Sequence, residues 1–197
     1  MKNINISCAI LAGGKNSRMN GFDKAFIDMH GVPLIRRVIA VLKELFDEII
    51  IVTNTPEQFK EYAKECVIIT DVIKGKGPLG GIHSALSHTS KNAVFITACD
   101  MPFLNAGVIK KIISAAADGD YDCVIPRGAR GIEPLGGVYS KRILGKAGEM
   151  LGGEDFSVRR LIENCKCGYA AVEREEMKCF SNINSPEDLQ KLSANGN

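Results

Sequence analysis

INISCAILAGGKNSRMNGFDKA, residues 4–25, joins two kinds of chemistry in one short span. Ile4 to Ile10 is largely apolar and of strand length, whereas the residues after it carry the glycines Gly13, Gly14 and Gly21, the cations Lys15, Arg18 and Lys24, and the acid Asp23. The second part does not suit a core, because glycine weakens helices and strands alike and the cations need water or anions. As the chain leaves the strand, Gly13 and Gly14 let backbone N–H groups approach a phosphate closely, and the three cations add mobile positive charge. A strand feeding a polyphosphate loop is the reading that follows. The loop runs from Leu11 to a helix start near Pro33, well beyond the roughly 2–6 residues of an ordinary βα connection. Such length suits a functional flap; a solvated basic surface loop is the alternative.

Further strand-length apolar runs follow at Glu48–Thr53, Cys66–Ile69, Ala93–Ala98 and Tyr121–Ile125. Between them, Pro33–Phe46, Thr55–Lys64, Leu79–His88 and Asn105–Ala117 show helical spacing, with Pro33 and Pro56 where helices begin. Strands apolar on both faces and alternating with helices predict an α/β fold, a mostly parallel sheet covered on each side. Ligands of such sheets bind beyond the carboxyl ends of the strands. From residue 127 the alternation loosens into the glycine-rich RGARGIEPLGG and short helices at Lys141–Leu151, Ser157–Asn164 and Ser185–Leu192. No linker divides the chain, so residues 1–197 are expected to form a single domain, with 127–197 completing it as one wall of a cleft.

The composition, 45% hydrophobic and 24% charged over 197 residues, is that of an ordinary globular domain. A net charge of +2 gives no broad basic surface for nucleic acid. No apolar run reaches the roughly 18 residues of a membrane span, and the N-terminus has no signal pattern, so a cytoplasmic protein is expected. Seven cysteines, an odd and scattered set, argue against a disulfide framework. The first loop lacks P-loop spacing. Gly75-Lys76-Gly77-Pro78-Leu79-Gly80 fits G-x-G-x-x-G, but Asp71–Lys74 separates it from its strand and the strand is not the first, so a loop and helix start near a nucleotide base is expected instead. Cys165, Cys167 and Cys179 lack zinc spacing, and no Ser/His/Asp or Cys/His set is evident.

Leu11-Ala12-Gly13-Gly14, Ser17-Arg18-Met19 and Gly21-Phe22-Asp23-Lys24, with Asn20 inserted before the glycine, resemble the opening signature of nucleotidyltransferases that activate sugars and cofactors. GPLGGI at 77–82, TACDMPF at 97–103, EPL at 133–135 and FSNINSPEDL at 180–189 extend the resemblance over most of the chain, most closely to the molybdenum cofactor guanylyltransferases, MobA-like nucleotidyltransferases. The resemblance implies a Rossmann-like three-layer sandwich of the nucleotide-diphospho-sugar transferase type, with 1–126 the nucleotide-binding part and 127–197 the acceptor, or pterin-side, part. It implies transfer of GMP from Mg-GTP to the phosphate of molybdenum-molybdopterin. It also implies transient contacts with cofactor-delivering and molybdoenzyme-maturation proteins, and neither nucleic acid nor membrane as a partner. Rival readings are a nucleotidyltransferase using CTP or a sugar phosphate, and a non-catalytic nucleotide- or cofactor-binding module.

Asp100 ends an apolar strand ahead of Met101-Pro102, and a strand-end carboxylate facing a polyphosphate site suits Mg²⁺, which takes one or two carboxylates plus phosphate oxygens and waters. The family's metal-binding aspartate falls on Asp100; a helix N-cap for the segment near Leu104 is the alternative. Lys24 is expected to offset charge at the α-phosphate and Arg18 to hold the departing pyrophosphate, with Lys15 assisting. Gly13 and Gly14 would position the chain, and backbone groups near Leu11 and Ala12 would meet the base. The resemblance puts Asn54 and Asp71 on the nucleotide; both could instead be Asx-turn residues. Asn182 and Asn184 bracket Ile183, so in an extended segment the two amides share a face above an apolar anchor. The family uses them at the pterin side, although Ser185 and Pro186 also make a good helix start.

Overall fold

The computed structural model describes residues 5–13, 24–183 and 188. Among them the expected sheet is present: β1 (Ile6–Leu11), β4 (Ile49–Val52), β5 (Val67–Ile69) and β6 (Ala93–Ala98) run parallel in the order β6-β1-β4-β5. Their apolar character on both faces has a direct cause. Cys8 and Ile10 of β1, Ile49 and Ile51 of β4 and Phe95 of β6 point into one buried cluster. Ala9 and Leu11, Ile50 and Val52, and Val94 and Ile96 point into another on the opposite face. Each face is then covered by helices. Helix α1 (Leu34–Lys43) buries Leu34, Ile35, Val38, Ile39 and Leu42 as one stripe, and α3 (Ala106–Ala117) joins it on the first face. Helices α2 (Gly77–His88), α4 (Leu144–Gly152) and α5 (Val158–Glu163) cover the second. The result is a three-layer α/β sandwich. No helix among the described residues is long and apolar enough to cross a membrane.

The second part of the chain extends the same sheet. β7 (Cys123–Gly128) runs parallel to β10 (Cys167–Ala171), and β9 (Val138–Ser140) lies between β6 and β7, antiparallel to both. β8 (Gly131–Ile132) folds back on β7. Neither β9 nor β10 stands out in the sequence: β9 has three residues, and CGYAA in β10 is small and has no β-branched residue. β9 depends on contact rather than propensity. Gly137, just ahead of it, lies so close to β7 that a Cβ there would fall 2.9 Å from Val124 O and 2.5 Å from Ile125 Cδ1.

Two local differences from expectation have simple causes. Pro56–Tyr62, within the helical stretch read at Thr55–Lys64, is a 3₁₀ helix that buries Phe59 and Tyr62, and apolar residues three apart match its three-residue turn. The chain before α1 is not loop throughout. A 3₁₀ turn at Lys24–Phe26 is followed by a hairpin of β2 (Asp28–Met29) and β3 (Val32–Pro33), whose two-residue turn holds His30 at φ 56° and Gly31 at φ 79°. Positive φ at both positions gives the twist that suits a two-residue hairpin. The helix read at Ser185–Leu192 lies outside the described residues.

Candidate active site

β1 is flanked by β4 on one side and β6 on the other, so the chain order reverses there and leaves a crevice beyond the strands' carboxyl ends. A cavity of about 200 Å³ opens at that point. Leu11, Ala12 and Gly13 enter it from β1, and Ala98, Cys99 and Asp100 from β6. β1 is held against its neighbours beyond its last residue, since Ala12 N donates to Val52 O at 2.9 Å and Cys99 N to Leu11 O at 3.2 Å. Gly77, Pro78 and Gly81 bring in the start of α2, which has no side-chain cap. The first N–H groups of that helix therefore keep their capacity to bind an acceptor or anion. The G-x-G-x-x-G stretch thus serves as a loop and helix start, as expected, with Gly75 at φ 76° and Gly77 at φ 60°.

Lys24 and Asp100, seventy-six residues apart in sequence, meet here: Lys24 Nζ lies 3.5 Å from Asp100 Oδ2. The aspartate side chain is 12% exposed and the lysine 34%. Burial raises the Asp100 carboxyl above its ordinary value, and the Lys24 ammonium opposes that shift. The backbone carbonyl of Asp100 accepts from Ile183 N at 2.8 Å, tying the end of β6 to the closing segment. Asp100 does not cap the helix that follows; Asn105 does, its Oδ1 accepting from Gly107 N at 2.8 Å and Val108 N at 3.2 Å.

Asn54 and Asp71 pair with each other, Asn54 Nδ2 donating to Asp71 Oδ2 at 2.8 Å. Gly13 faces this pair: a Cβ there would lie 3.5 Å from the Asn54 amide and 3.8 Å from the Asp71 carboxylate. Asp71 lines the cavity, as does Asn182, while Ile183 is fully buried. Gly14, Lys15, Arg18 and Asn184 lie outside the described residues. Leu135 also lines the cavity, and Glu133 accepts at 3.2 Å from its N–H. The sequence reading gave those two residues no role, although Glu-Pro-Leu in a glycine-rich stretch is the signal of a capped turn. The cysteines weighed as zinc ligands do not converge: Cys165 and Cys167 pack against the cluster on one face of the sheet and Cys179 within that on the other.

The profile of the MobA-like NTP transferase domain matches residues 8–171, from β1 through β10. The chain belongs to the MobA-like NTP transferase family. Its relatives include a "Probable molybdenum cofactor guanylyltransferase" of Clostridium perfringens strain 13, 36% identical over 94% of this chain and 95% of the relative. The molybdenum cofactor guanylyltransferase of Syntrophotalea carbinolica is 34% identical over 96% of this chain and 91% of its own. Among solved structures, molybdopterin-guanine dinucleotide biosynthesis protein A of Archaeoglobus fulgidus superposes with a TM-score of 0.78 at 25% identity, over 94% of this chain and 95% of that one. Family membership accounts for the three-layer nucleotidyltransferase fold.

Proposed function

We propose that this chain transfers GMP from Mg-GTP to the terminal phosphate of molybdenum-loaded molybdopterin, releasing pyrophosphate and forming the molybdopterin guanine dinucleotide cofactor. The Lys24–Asp100 pair at the mouth of β6 carries the proposal, in a chain whose relatives are named molybdenum cofactor guanylyltransferases. In this reaction a phosphate oxygen of the acceptor forms a bond to the α-phosphorus as the bond to the β-phosphate oxygen breaks. The nucleophile is already an anion, so no strong general base is required. The barrier is electrostatic: two anions approach in line while charge builds on the leaving oxygen.

A single buried carboxylate beside a cation, in a cavity entered by a glycine-bearing strand end, fits a divalent ion that takes its other ligands from phosphates and water. Asp100 would hold that ion, Mg²⁺ under this reading, which when bound supplies positive charge to the phosphate oxygens. Lys24 offsets charge at the α-phosphate, Gly13 and Gly14 orient the backbone, and Arg18, from the signature, holds the departing pyrophosphate. Leu11, Ala12, Asn54 and Asp71 meet the nucleotide, and Asn182 and Asn184 face the acceptor, so 1–126 binds the nucleotide and 127–197 the pterin. Under this reading the enzyme works in the cytoplasm, takes its fragile acceptor from a delivering protein by transient contact and passes its product to molybdoenzyme-maturation proteins.

The test is pyrophosphate release with Mg²⁺, each of the four nucleoside triphosphates, and molybdopterin in metal-free or molybdenum-loaded form. Release with GTP alone is expected. Preference for CTP would overturn the base assignment while leaving the catalytic roles in place, and GTP binding without turnover would favour a non-catalytic module.

A further inference from the structure

A second cavity, of about 570 Å³, opens beside the first. One wall is the β7–β8 turn with Arg130 and Glu133, and the other is Arg174, Met177, Phe180 and Ser181. The two cavities share a partition, because Glu133 and Ser181 line the second while their near neighbours Leu135 and Asn182 line the first. Glu133 is held in place there. Its Oε1 accepts from Leu135 N at 3.2 Å, and the turn that follows is anchored by Tyr139, a fully buried residue whose hydroxyl donates to Pro134 O at 2.8 Å. Burial pushes the Glu133 carboxyl up, Arg159 opposes this, and Asp100 adds to it as a like charge across the partition. None of the ion pairs among the described residues engages Glu133, Arg130 or Arg174. A partly desolvated carboxylate with no ion pair within 4 Å among the described residues, opposed only by the more distant Arg159 and one backbone donor, gains when a ligand brings further donors to it.

The reaction proposed above supplies such a ligand. Guanine and pterin both carry a 2-amino-4-oxopyrimidine, whose ring N–H and exocyclic amine form two parallel donors matched to the two oxygens of a carboxylate. The phosphates of GTP belong beside Lys24 and Asp100 in the first cavity, where Asp71 is the further carboxylate. The acceptor must bring its own phosphate to the same point from another direction, which leaves its ring in the adjoining space. We propose that Glu133 recognises the acceptor's pterin in the second cavity, accepting its ring N–H and amino group, with Arg130 and Arg174 at the rim beside its anionic remainder. The assignment rests on the reading of the chain as a molybdopterin guanylyltransferase. The oxygen already bonded to Leu135 N keeps a second lone pair, so the bidentate contact needs no loss of the turn.

Glu133→Gln tests it. The amide keeps an oxygen for Leu135 N but replaces the other with a donor that opposes the pterin's own donors. Three quantities are measured on wild type and variant: the KM for molybdopterin, the Kd for GTP, and the Kd for 6-hydroxymethylpterin read from its fluorescence in the GTP-loaded protein. Losing hydrogen bonds to a charged acceptor predicts a rise of about 10- to 100-fold in molybdopterin KM and pterin Kd, with GTP Kd unchanged. Unchanged KM and pterin Kd would overturn the assignment while leaving the guanylyltransferase reading intact, and so would an equal loss of GTP affinity. If the wild type transfers GMP to a sugar phosphate, ignores molybdopterin and binds no pterin, the functional reading and the assignment fall together. Pterin binding that is lost in the variant supports Glu133 even if turnover uses a different nucleotide.

Discussion

Lys24→Met keeps a side chain of similar length and removes the ammonium that lies 3.5 Å from Asp100 Oδ2. Two unit charges at that separation attract by about 1.2 kcal/mol at the dielectric constant of water and about 5 kcal/mol at an effective value near 20. With the lysine 34% exposed, solvent screens the pair, and the lower part of the range applies, about 1–2 kcal/mol. The pH dependence follows from the direction of the Asp100 shift. Burial raises this carboxyl above its ordinary 3.8 and Lys24 restrains the rise. A group with a raised folded-state value contributes stability that is fully present below its unfolded value and lost as pH rises through the folded one. Removing Lys24 raises the folded value further, so the variant is less stable than wild type in neutral solution and draws level only as pH falls below the unfolded value of about 3.9, where the carboxyl is protonated in both. Denaturation by urea across this pH range measures the gap, and turnover with GTP and acceptor is expected to fall by about 10²–10³. A stability gap of equal size at both ends would refute the coupling of the pair, and wild-type turnover would refute the catalytic role of Lys24.

Asp100→Asn removes a buried charge while keeping its volume; it is expected to abolish metal-dependent turnover yet be no less stable than wild type at neutral pH, and a clear loss of stability there would show that the ionised carboxylate supports the fold. Gly81→Ala would put a Cβ 2.8 Å from Leu11 Cδ2. It should cost about 1–3 kcal/mol and weaken nucleotide binding, because the side chain that must give way lines the cavity; a wild-type GTP Kd by calorimetry would contradict this. Ile183→Ala empties a fully buried position beneath Asn182, and a loss of about 2–5 kcal/mol in urea denaturation is expected. A cost below about 0.5 kcal/mol would mean that the closing segment is not anchored there.

The strands and helices nearest the site were the most legible in the sequence. β1, β4 and β6 are buried on both faces, so every side chain must be apolar or small, and such runs stand out without alignment or partner. The glycines and cations that follow β1 stand out for the opposite reason, since they have no place in a core. Asp100 could be placed at a strand end because Met101-Pro102 closes the run. The pairing of Asn54 with Asp71 was not legible, as it joins the ends of β4 and β5 across seventeen residues. Nor was the place of Glu133 between two cavities, which depends on a short turn held from below by Tyr139.

By itself, then, the chain specifies its layers through local patterning: which segments lie in the sheet, which helices cover it and where the glycine- and cation-rich stretch begins. The tertiary structure decides what meets at the crevice. An antiparallel β9 between β6 and β7 joins the later residues to the edge of the parallel sheet, and Lys24, Asp100, Leu135 and Asn182 converge only because that sheet is assembled in the order β10-β7-β9-β6-β1-β4-β5. Side-chain periodicity records the faces each element buries. It carries no information about which distant element packs against them, because one apolar surface is interchangeable with another until shape and backbone hydrogen bonding select the partner.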